Sequence, residues 1–310
     1  MTYWWWVLFA AVVVVLMALD LAVFHRHSRH ESTKRALAWC VVYIGLGLGF
    51  ALIVGLARGH DAALAYITAY LIEESLSVDN LFVFLALFTY FGVASEHQHR
   101  VLFWGILGAI IFRGLFIFAG VALISRFHWV MYILGIVLVA TGAKLGLGGG
   151  EDVHPERNLI VRWASRVFPI VKSYHGEHFT VRTDAGKRFT PLFLVLLAIE
   201  STDVMFAVDS VPAVLAVSRD PFVVYTSNIF AILGLRALYF VLAGALRSLR
   251  YLRPALAVIL VLVGVKMLLA DVVEVPTEAS LAVVAAILGF ATAGSLLIPE
   301  AKAGRTRHRN

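Results

Sequence analysis

The sequence predicts an all-α, polytopic membrane protein of about nine transmembrane helices that contains two inverted three-helix repeats. Three observations lead to this fold class. Hydrophobic residues make up 61% of the 310-residue chain. Charged residues make up only 15%, whereas soluble domains carry about 25%. Nine apolar runs are long enough to cross a bilayer, and charged residues recur at nearly constant separation in two groups of three such runs.

About 20 apolar residues in a helix cross the roughly 30 Å of hydrocarbon in a bilayer. Runs of this length lie near residues 4–24, 36–57, 62–91, 101–124, 129–148, 189–218, 222–246, 253–272 and 277–298. The third and sixth runs are the longest and carry acidic clusters, so we expect a tilt or a break in each. No basic segment precedes the first run, so we expect a retained helix rather than a cleaved signal.

We treat residues 1–310 as a single integral membrane domain. It divides into N-terminal helices (1–61), a first repeat (62–148), a connector (149–188), a second repeat (189–272), and a last helix with a tail (273–310). We expect the connector to be basic and irregular. A solvated connector is the preferred interpretation over a metal-sensing loop, although it contains His154, His175, Glu177 and His178.

The distribution of lysine and arginine predicts the orientation. The loops after the first, third, fifth and seventh runs, with the C-terminal tail, hold 19 of the 26 basic residues. The alternate loops hold three, Arg58, Arg126 and Arg219. Because cytoplasmic loops carry an excess of basic residues, we expect the N-terminus outside and the C-terminus in the cytoplasm. The expected location is the inner (cytoplasmic) membrane of the cell.

Three pairs of polar positions indicate an internal repeat. The separations within the pairs are 124, 123 and 122 residues. The pairs are Ser77–Phe82 with Ser201–Phe206, Arg113 with Arg236, and Lys144 with Lys266. Runs three to five therefore recur as runs six to eight. Because each unit has three runs, the second copy would cross the membrane in the opposite direction, an arrangement typical of secondary transporters with a site near the midplane.

The two longest runs carry carboxylates, and each ionised group near the bilayer midplane costs roughly 2.5–3.5 kcal/mol. Carboxylate, amide and carbonyl oxygens are suited to Mn²⁺, Mg²⁺ or Ca²⁺. Pro212 has no backbone N–H and cannot donate to the carbonyl of Val208, so that carbonyl oxygen is a further possible ligand. We therefore predict a metal site that both runs share. Its candidate ligands are Glu73, Asp79, Asn80, Glu200, Asp203 and Asp209.

An alternative is that the acids only hold the helices together by pairing with basic residues, since buried charges need partners. The candidate charge partners are Arg113, Arg236, Lys144 and Lys266. Glu74 is adjacent to Glu73 but points away from it, so it is the best candidate for a purely structural acid. Asn228 could cap or extend the predicted site.

No motif indicates an enzyme. No nucleophile lies beside a base, and no phosphate-binding loop or zinc-protease motif occurs. Ser210 follows Asp209 but has no histidine within the predicted spans. The single cysteine, Cys40, excludes a disulfide within the chain.

The motifs with intramembrane charges are IEESLSVDNLFVF (72–84), ILGAIIFRGLFIFAG (106–120), ESTDVMFAVDSVPAV (200–214) and TSNIFAILGLRALYF (226–240). In this combination the chain resembles the TerC family of integral membrane proteins over roughly residues 36–298. The family is named for tellurite resistance, and bacterial members are implicated in manganese export. The resemblance implicates the same six candidate ligands. Glu74 departs from the basic residue that family members often have there.

The preferred function is therefore export of a divalent metal ion, most consistent with Mn²⁺, in exchange for protons. We expect no permanently bound cofactor. The expected partners are the metal ion, protons and the lipid bilayer, with no nucleic acid; association with itself or with other membrane proteins is left open. The alternative function is a membrane scaffold or assembly factor, linked to tellurite or metal stress resistance, whose acidic helix faces bind other membrane proteins.

Overall fold

The computed structural model describes residues 3–25, 33–127, 129–147, 159–171, 173–183, 186–245, 251–273 and 275–297. The elements in these ranges are α1 (Trp4–His25), α2 (Thr33–Arg58), α3 (His60–Phe91), α4 (Ser95–Arg126), α5 (Val130–Gly146), α6 (Leu159–Val167), β1 (Thr180–Thr183), β2 (Gly186–Phe189), α7 (Pro191–Leu215), α8 (Pro221–Ala245), α9 (Leu252–Leu268) and α10 (Thr277–Leu297).

Helices occupy every predicted run, so the predicted all-α architecture is confirmed. Within the described residues, four helices are long and apolar enough to cross a membrane: Lys34–Arg58, Ser95–Arg126, Pro191–Leu215 and Pro221–Val241. Four shorter apolar helices accompany them: Trp4–Leu19, Val130–Gly146, Pro254–Leu268 and Ala279–Ser295. α3 belongs to neither group, and it carries the acidic residues Glu73, Glu74 and Asp79 in its central turns.

The two acidic helices are continuous, which corrects the expectation of a break. α3 runs for 32 residues without interruption, a length of roughly 48 Å at about 1.5 Å per residue. It ends at Gly92, whose positive φ of 63° lets its N–H bond back to carbonyls of the last turn. α7 continues through Pro212 to Leu215. The sequence predicts a tilt or a break in each helix; the break is absent, and a tilt stays the prediction for the excess length of α3.

Four helices form the centre of the bundle, because α3 and α4 each pack against both α7 and α8. α8 is the most enclosed of the four apolar spanning helices. α1 and α2 pack against α8 through an aromatic cluster that includes Phe9, Phe50 and Phe230. α10 covers α3 and α9. The central turns of α3 are thus enclosed by other helices, whereas α7 keeps one face at the surface of the bundle, where Met205 and Val208 are each 51% exposed.

α5 and α9 form the tightest helix pair, and they run antiparallel. A Cβ added at Gly142 of α5 would lie 2.8 Å from the carbonyl oxygen of Ala257 of α9. A Cβ added at Gly264 of α9 would likewise lie 2.8 Å from the carbonyl oxygen of Gly135 of α5. Moving seven residues forward along α5 therefore moves seven residues backward along α9. Small residues allow this backbone contact, as is common between membrane helices.

The connector is folded where the structure describes it, which corrects the expectation of an irregular loop. It contains α6 and an antiparallel hairpin in which Thr180 pairs with Phe189. Val161 and Ala164 of α6 are buried against the start of α7. Each strand has only four residues, too few for an alternating pattern to be recognised in the sequence.

Hydrogen bonds attach the connector to the ends of the bundle helices. The Tyr174 hydroxyl donates to the carbonyl oxygen of Phe91, the last residue of α3, over 2.6 Å. Burial raises the pKa of this hydroxyl above 10.0, so it is a proton donor at neutral pH. Glu177, one of the four suggested metal-binding residues, lies 4.0 Å from Arg100 of α4. His154 lies outside the described residues.

Candidate functional site

The centre of the candidate site is Arg113, in the middle of α4. Its side chain is 1% exposed. Two of its nitrogens donate to Asp203 of α7, with Nη2 to Oδ1 at 2.9 Å and Nε to Oδ2 at 3.3 Å. The same guanidinium forms an ion pair with Glu73 of α3. One cation therefore joins the two acidic helices.

Ser210 completes the contacts of this guanidinium, because its Oγ lies 3.3 Å from Nη1 of Arg113. Ser210 follows Asp203 by seven residues, which is two helical turns, so both side chains lie on the same face of α7. Sequence reasoning considered Ser210 only as a nucleophile and missed this role. The seven-residue spacing was the signal that could have identified it.

The burial of this network is deep for charged groups. Glu73 is fully buried and Asp203 is 4% exposed. Isolated charges in such a place would be very unfavourable, whereas a guanidinium that donates hydrogen bonds to Asp203 and forms an ion pair with Glu73 compensates them. The structural pairing suggested from the sequence is thus real for Arg113.

Glu200 belongs to the same interface but has a different environment. An added Cβ at Gly108 of α4 would overlap the Glu200 carboxylate, so the absence of a side chain at Gly108 makes room for this group. The Glu200 Oε2 atom is buried and has no hydrogen-bond partner among the described residues. Glu200 is therefore a carboxylate held between α4 and α7 without a cationic partner in the described part of the chain.

Other buried polar atoms around the central helices also lack partners within the described ranges. They include Ser77 Oγ on α3, both amide atoms of Asn228 on α8, and Oε2 of Glu74. Neither carboxylate oxygen of Glu73, which forms the ion pair with Arg113, has a hydrogen-bond partner among the described residues. Ser77 lies one helical turn after Glu73 on the same face of α3. Asn228 is fully buried. Unpaired buried polar atoms are rare in folded proteins and require an explanation, such as an ion or a water molecule.

Glu74 lies on another side of α3 from Glu73, as expected from the sequence. Its carboxylate accepts a hydrogen bond from the Tyr70 hydroxyl. Cys40 of α2 lies near it, and one of its oxygens would be 3.9 Å from a Cβ added at Gly234 of α8. The structure thus separates Glu74 from the Arg113 network and places it between α2, α3 and α8.

The remaining predicted charge partners lie elsewhere. Arg236 Nη2 lies 3.2 Å from Nδ1 of His99. Lys266 donates from Nζ to Ser280 Oγ of α10 over 2.7 Å, and Lys144 is exposed at the end of α5. The two lysines therefore do not pair with the described acids, because α5 and α9 pack mainly against each other.

The six predicted ligands are brought together only in part. Glu73 and Asp203 meet through Arg113, and Glu200 lies on the same helix as Asp203, one turn earlier. Asn80 is buried on α3. The side chains of Asp79 and Asp209 lie outside the described residues. Among the side chains that are described, no group of three or more His, Cys, Asp or Glu residues is arranged to hold a metal ion.

A buried arginine between two acidic membrane helices is therefore the main feature of this interior. Comparison with known proteins identifies the family of the chain. Residues 58–303 match the integral membrane protein TerC family. The chain belongs to this family. The resemblance inferred from the four motifs is confirmed, and the protein is a multi-pass, all-α membrane protein.

Relatives of this TerC protein are similar over most of their length. "Uncharacterized membrane protein STKORF319" of Myxococcus xanthus is 46% identical over 282 residues, covering 91% of this chain and 88% of the relative. "Putative membrane-bound redox modulator Alx" of Escherichia coli (strain K12) is 46% identical over 282 residues, covering 88% of each chain. An "Uncharacterized membrane protein" of Rickettsia bellii is 36% identical, covering 88% of this chain and 90% of the relative. No solved structure matches the chain.

Proposed function

We propose that this TerC protein is a secondary transporter that exports a divalent metal ion, with Mn²⁺ as the substrate and protons as the counter-ion. The observation that carries the proposal is the buried network of Glu73, Arg113 and Asp203 between the two acidic helices. Oxygen atoms without partners accompany it on the same four helices. Oxygen ligands favour hard divalent cations such as Mn²⁺, Mg²⁺ and Ca²⁺, and the family resemblance favours Mn²⁺ among them.

An excess of acidic residues inside the bundle supports a cationic substrate. The central turns of α3 and α7 carry six acids, and those of α4 and α8 carry two arginines, Arg113 and Arg236. The acids are Glu73, Glu74, Asp79, Glu200, Asp203 and Asp209. Because buried charge must be compensated, a divalent cation or protons would neutralise part of this excess, and we propose that the two are exchanged.

Two inverted repeats provide the framework for alternating access. At the separation of 122 residues, Gly142 corresponds to Gly264 and Gly135 corresponds to Ala257. Replacing each residue of the Gly142–Ala257 contact by its counterpart in the other half gives the pair Gly264 and Gly135, which is also in close contact. The antiparallel course of α5 and α9 supports an inverted rather than a parallel repeat. The proposal includes nine crossings, an outside N-terminus and the inner membrane, as the basic residues indicate.

The described groups give no support for an enzymatic activity, and the proposal includes neither a catalytic step nor a resident cofactor. Asp203 and Glu200 would bind the dehydrated cation, while Arg113 would hold Glu73 and Asp203 when the metal is absent. A cation that enters must therefore compete with Arg113 for Asp203.

The decisive experiment is transport of Mn²⁺ into liposomes that contain the purified protein, followed with a metal-sensitive dye. We expect flux in the wild type and loss of at least about tenfold in Asp203→Asn, because a carboxylate ligand is lost while the size of the side chain is kept. Glu96→Gln is the matched control, since Glu96 is an exposed acid in the first turn of α4. A pH gradient should accelerate flux if protons are exchanged.

Absence of flux from well-folded wild-type protein would contradict the transport proposal. It would favour the alternative, a membrane scaffold or assembly factor whose acidic helices bind other membrane proteins. Equal flux in wild type and Asp203→Asn would instead show that the carboxylates do not form the transport site.

A further inference from the structure

A cavity of about 250 Å³ lies between the acidic helix α3 and the pair α9 and α10, and Glu73, Arg113 and Asp203 do not line it. Its wall is almost entirely apolar and includes Ile72 of α3, Ile259 and Val263 of α9, and Val284 of α10. Leu262 and Val283 also contribute, and both remain substantially exposed on the outside of the bundle. The cavity can therefore be reached from the surrounding bilayer.

A second cavity of about 260 Å³ adjoins the first. The two share lining residues at the end of α7 and after α9, among them Ala216, Val217 and Val273, and both are lined by Lys266. The second cavity is more polar, because Ser218 and Arg219 contribute to its wall. An apolar chamber thus joins a cationic one, with Lys266 at the junction.

The two cations at this junction have only weak partners. Lys266 donates to the neutral Ser280 hydroxyl at 2.7 Å. Arg219 donates from Nη2 to the Met131 Sδ atom at 2.6 Å, and a thioether is a weak acceptor. The described residues that line the two cavities include no carboxylate. Lys266 is partly buried and Arg219 is exposed at the mouth of the second cavity. Since no described side chain that lines the cavities is anionic, an anion from outside the chain would be attracted to this pair of cations.

We propose that the two cavities together bind one anionic phospholipid of the surrounding membrane, with its phosphate between Lys266 and Arg219 and an acyl chain in the apolar cavity. Basic pockets between membrane helices are suited to anionic head groups, and arginine and lysine both bind phosphate. The acyl chain alone gives no preference, because lipid tails are as apolar as the cavity wall. The specificity therefore depends on the two cations.

The test is native mass spectrometry of the full-length protein released from detergent after incubation with phosphatidylglycerol or phosphatidylcholine of identical acyl chains. We expect the wild type to retain phosphatidylglycerol preferentially. Lys266→Gln and Arg219→Gln should each lower this preference about fivefold, the factor expected for one cation near an anionic surface. The double variant should bind the two lipids equally.

Lys144→Gln is the matched control, because Lys144 corresponds to Lys266 in the repeat but is exposed and lines neither cavity. It should keep the wild-type preference. Equal retention of both lipids by the wild type would overturn the proposal, as would retention of a free fatty acid in place of a phospholipid. An equal loss of preference in Lys144→Gln and Lys266→Gln would also overturn it, since general surface charge would then explain the binding. These outcomes are independent of whether the protein transports metal.

Discussion

The two halves of the protein, α3–α5 and α7–α9, differ most at their corresponding arginines. Arg113 of the first half contacts an acid from each acidic helix, namely Glu73 and Asp203. Arg236 of the second half has the imidazole of His99 among its partners, and this ring stacks on Phe240. The corresponding arginines of the two halves therefore have different neighbours.

The glycine contacts between α5 and α9 show the opposite behaviour. Gly142 and Gly264 correspond in sequence, and each allows the same close approach to a backbone carbonyl. The halves are thus alike where they form the framework and unlike where they carry charge. The inverted-repeat transporter that we propose requires such a difference, because its two halves would adopt unequal conformations in any one state of alternating access.

The largest expected effect comes from removal of the first arginine. Arg113→Met should destabilise the protein by about 3–5 kcal/mol, because it leaves two carboxylates buried without a partner. The free energy of unfolding in detergent micelles, measured with denaturant, checks this value. The combination of Arg113→Met with Glu73→Gln and Asp203→Asn should recover most of the loss, since the buried negative charges are then absent.

The same two neutralising changes distinguish the arginines. Added to Arg236→Met, Glu73→Gln and Asp203→Asn should give no recovery, because neither acid contacts Arg236 in the structure. Recovery in both backgrounds would show that total charge, rather than the contacts of Arg113, governs stability. The contrast between the halves would then be lost.

The framework contacts allow a test of the similarity. Gly142→Ala and Gly264→Ala should each cost about 1–3 kcal/mol, because the added Cβ meets backbone atoms that cannot move aside. Gly49→Ala of α2 is the control, since nothing lies within 4 Å of an added Cβ there. It should be neutral or stabilising by up to about 1 kcal/mol. Clearly unequal costs at Gly142 and Gly264 would argue against a two-fold relation of the halves.

Much of this organisation could be predicted from the sequence, because apolar length and intramembrane charge are strong local signals. The acidic helices, the arginine in each half and the separate face of Glu74 all follow from spacing along a single helix. Spacing along one helix does not show which helices pack against each of its faces. Helical spacing cannot show that one arginine serves both acidic helices, or that Lys266 points toward α10 rather than toward an acid.

The folded connector was missed for a related reason. Its strands are stabilised by contacts with the start of α7, such as the packing of Phe189 against Phe193, rather than by a pattern of their own. Tertiary contacts of this kind leave little trace in a short polar segment. The connector nevertheless adds a further difference between the halves, because it holds the end of α3 through Tyr174.

The smallest predicted effect tests that attachment. Tyr174→Phe should cost about 1 kcal/mol, the typical net value of one hydrogen bond, because the Phe91 carbonyl loses its donor. Burial raises the pKa of the hydroxyl above 10.0 in the folded protein, so its contribution is complete below about pH 10 and is lost as the pH rises through the folded value. Unfolding of wild type and variant should therefore differ by a constant amount between pH 6 and 9 and converge above about pH 10. A difference that changes between pH 6 and 9 would show that Tyr174 acts through another titrating group, and the connector would then influence the first half by charge rather than by this single bond.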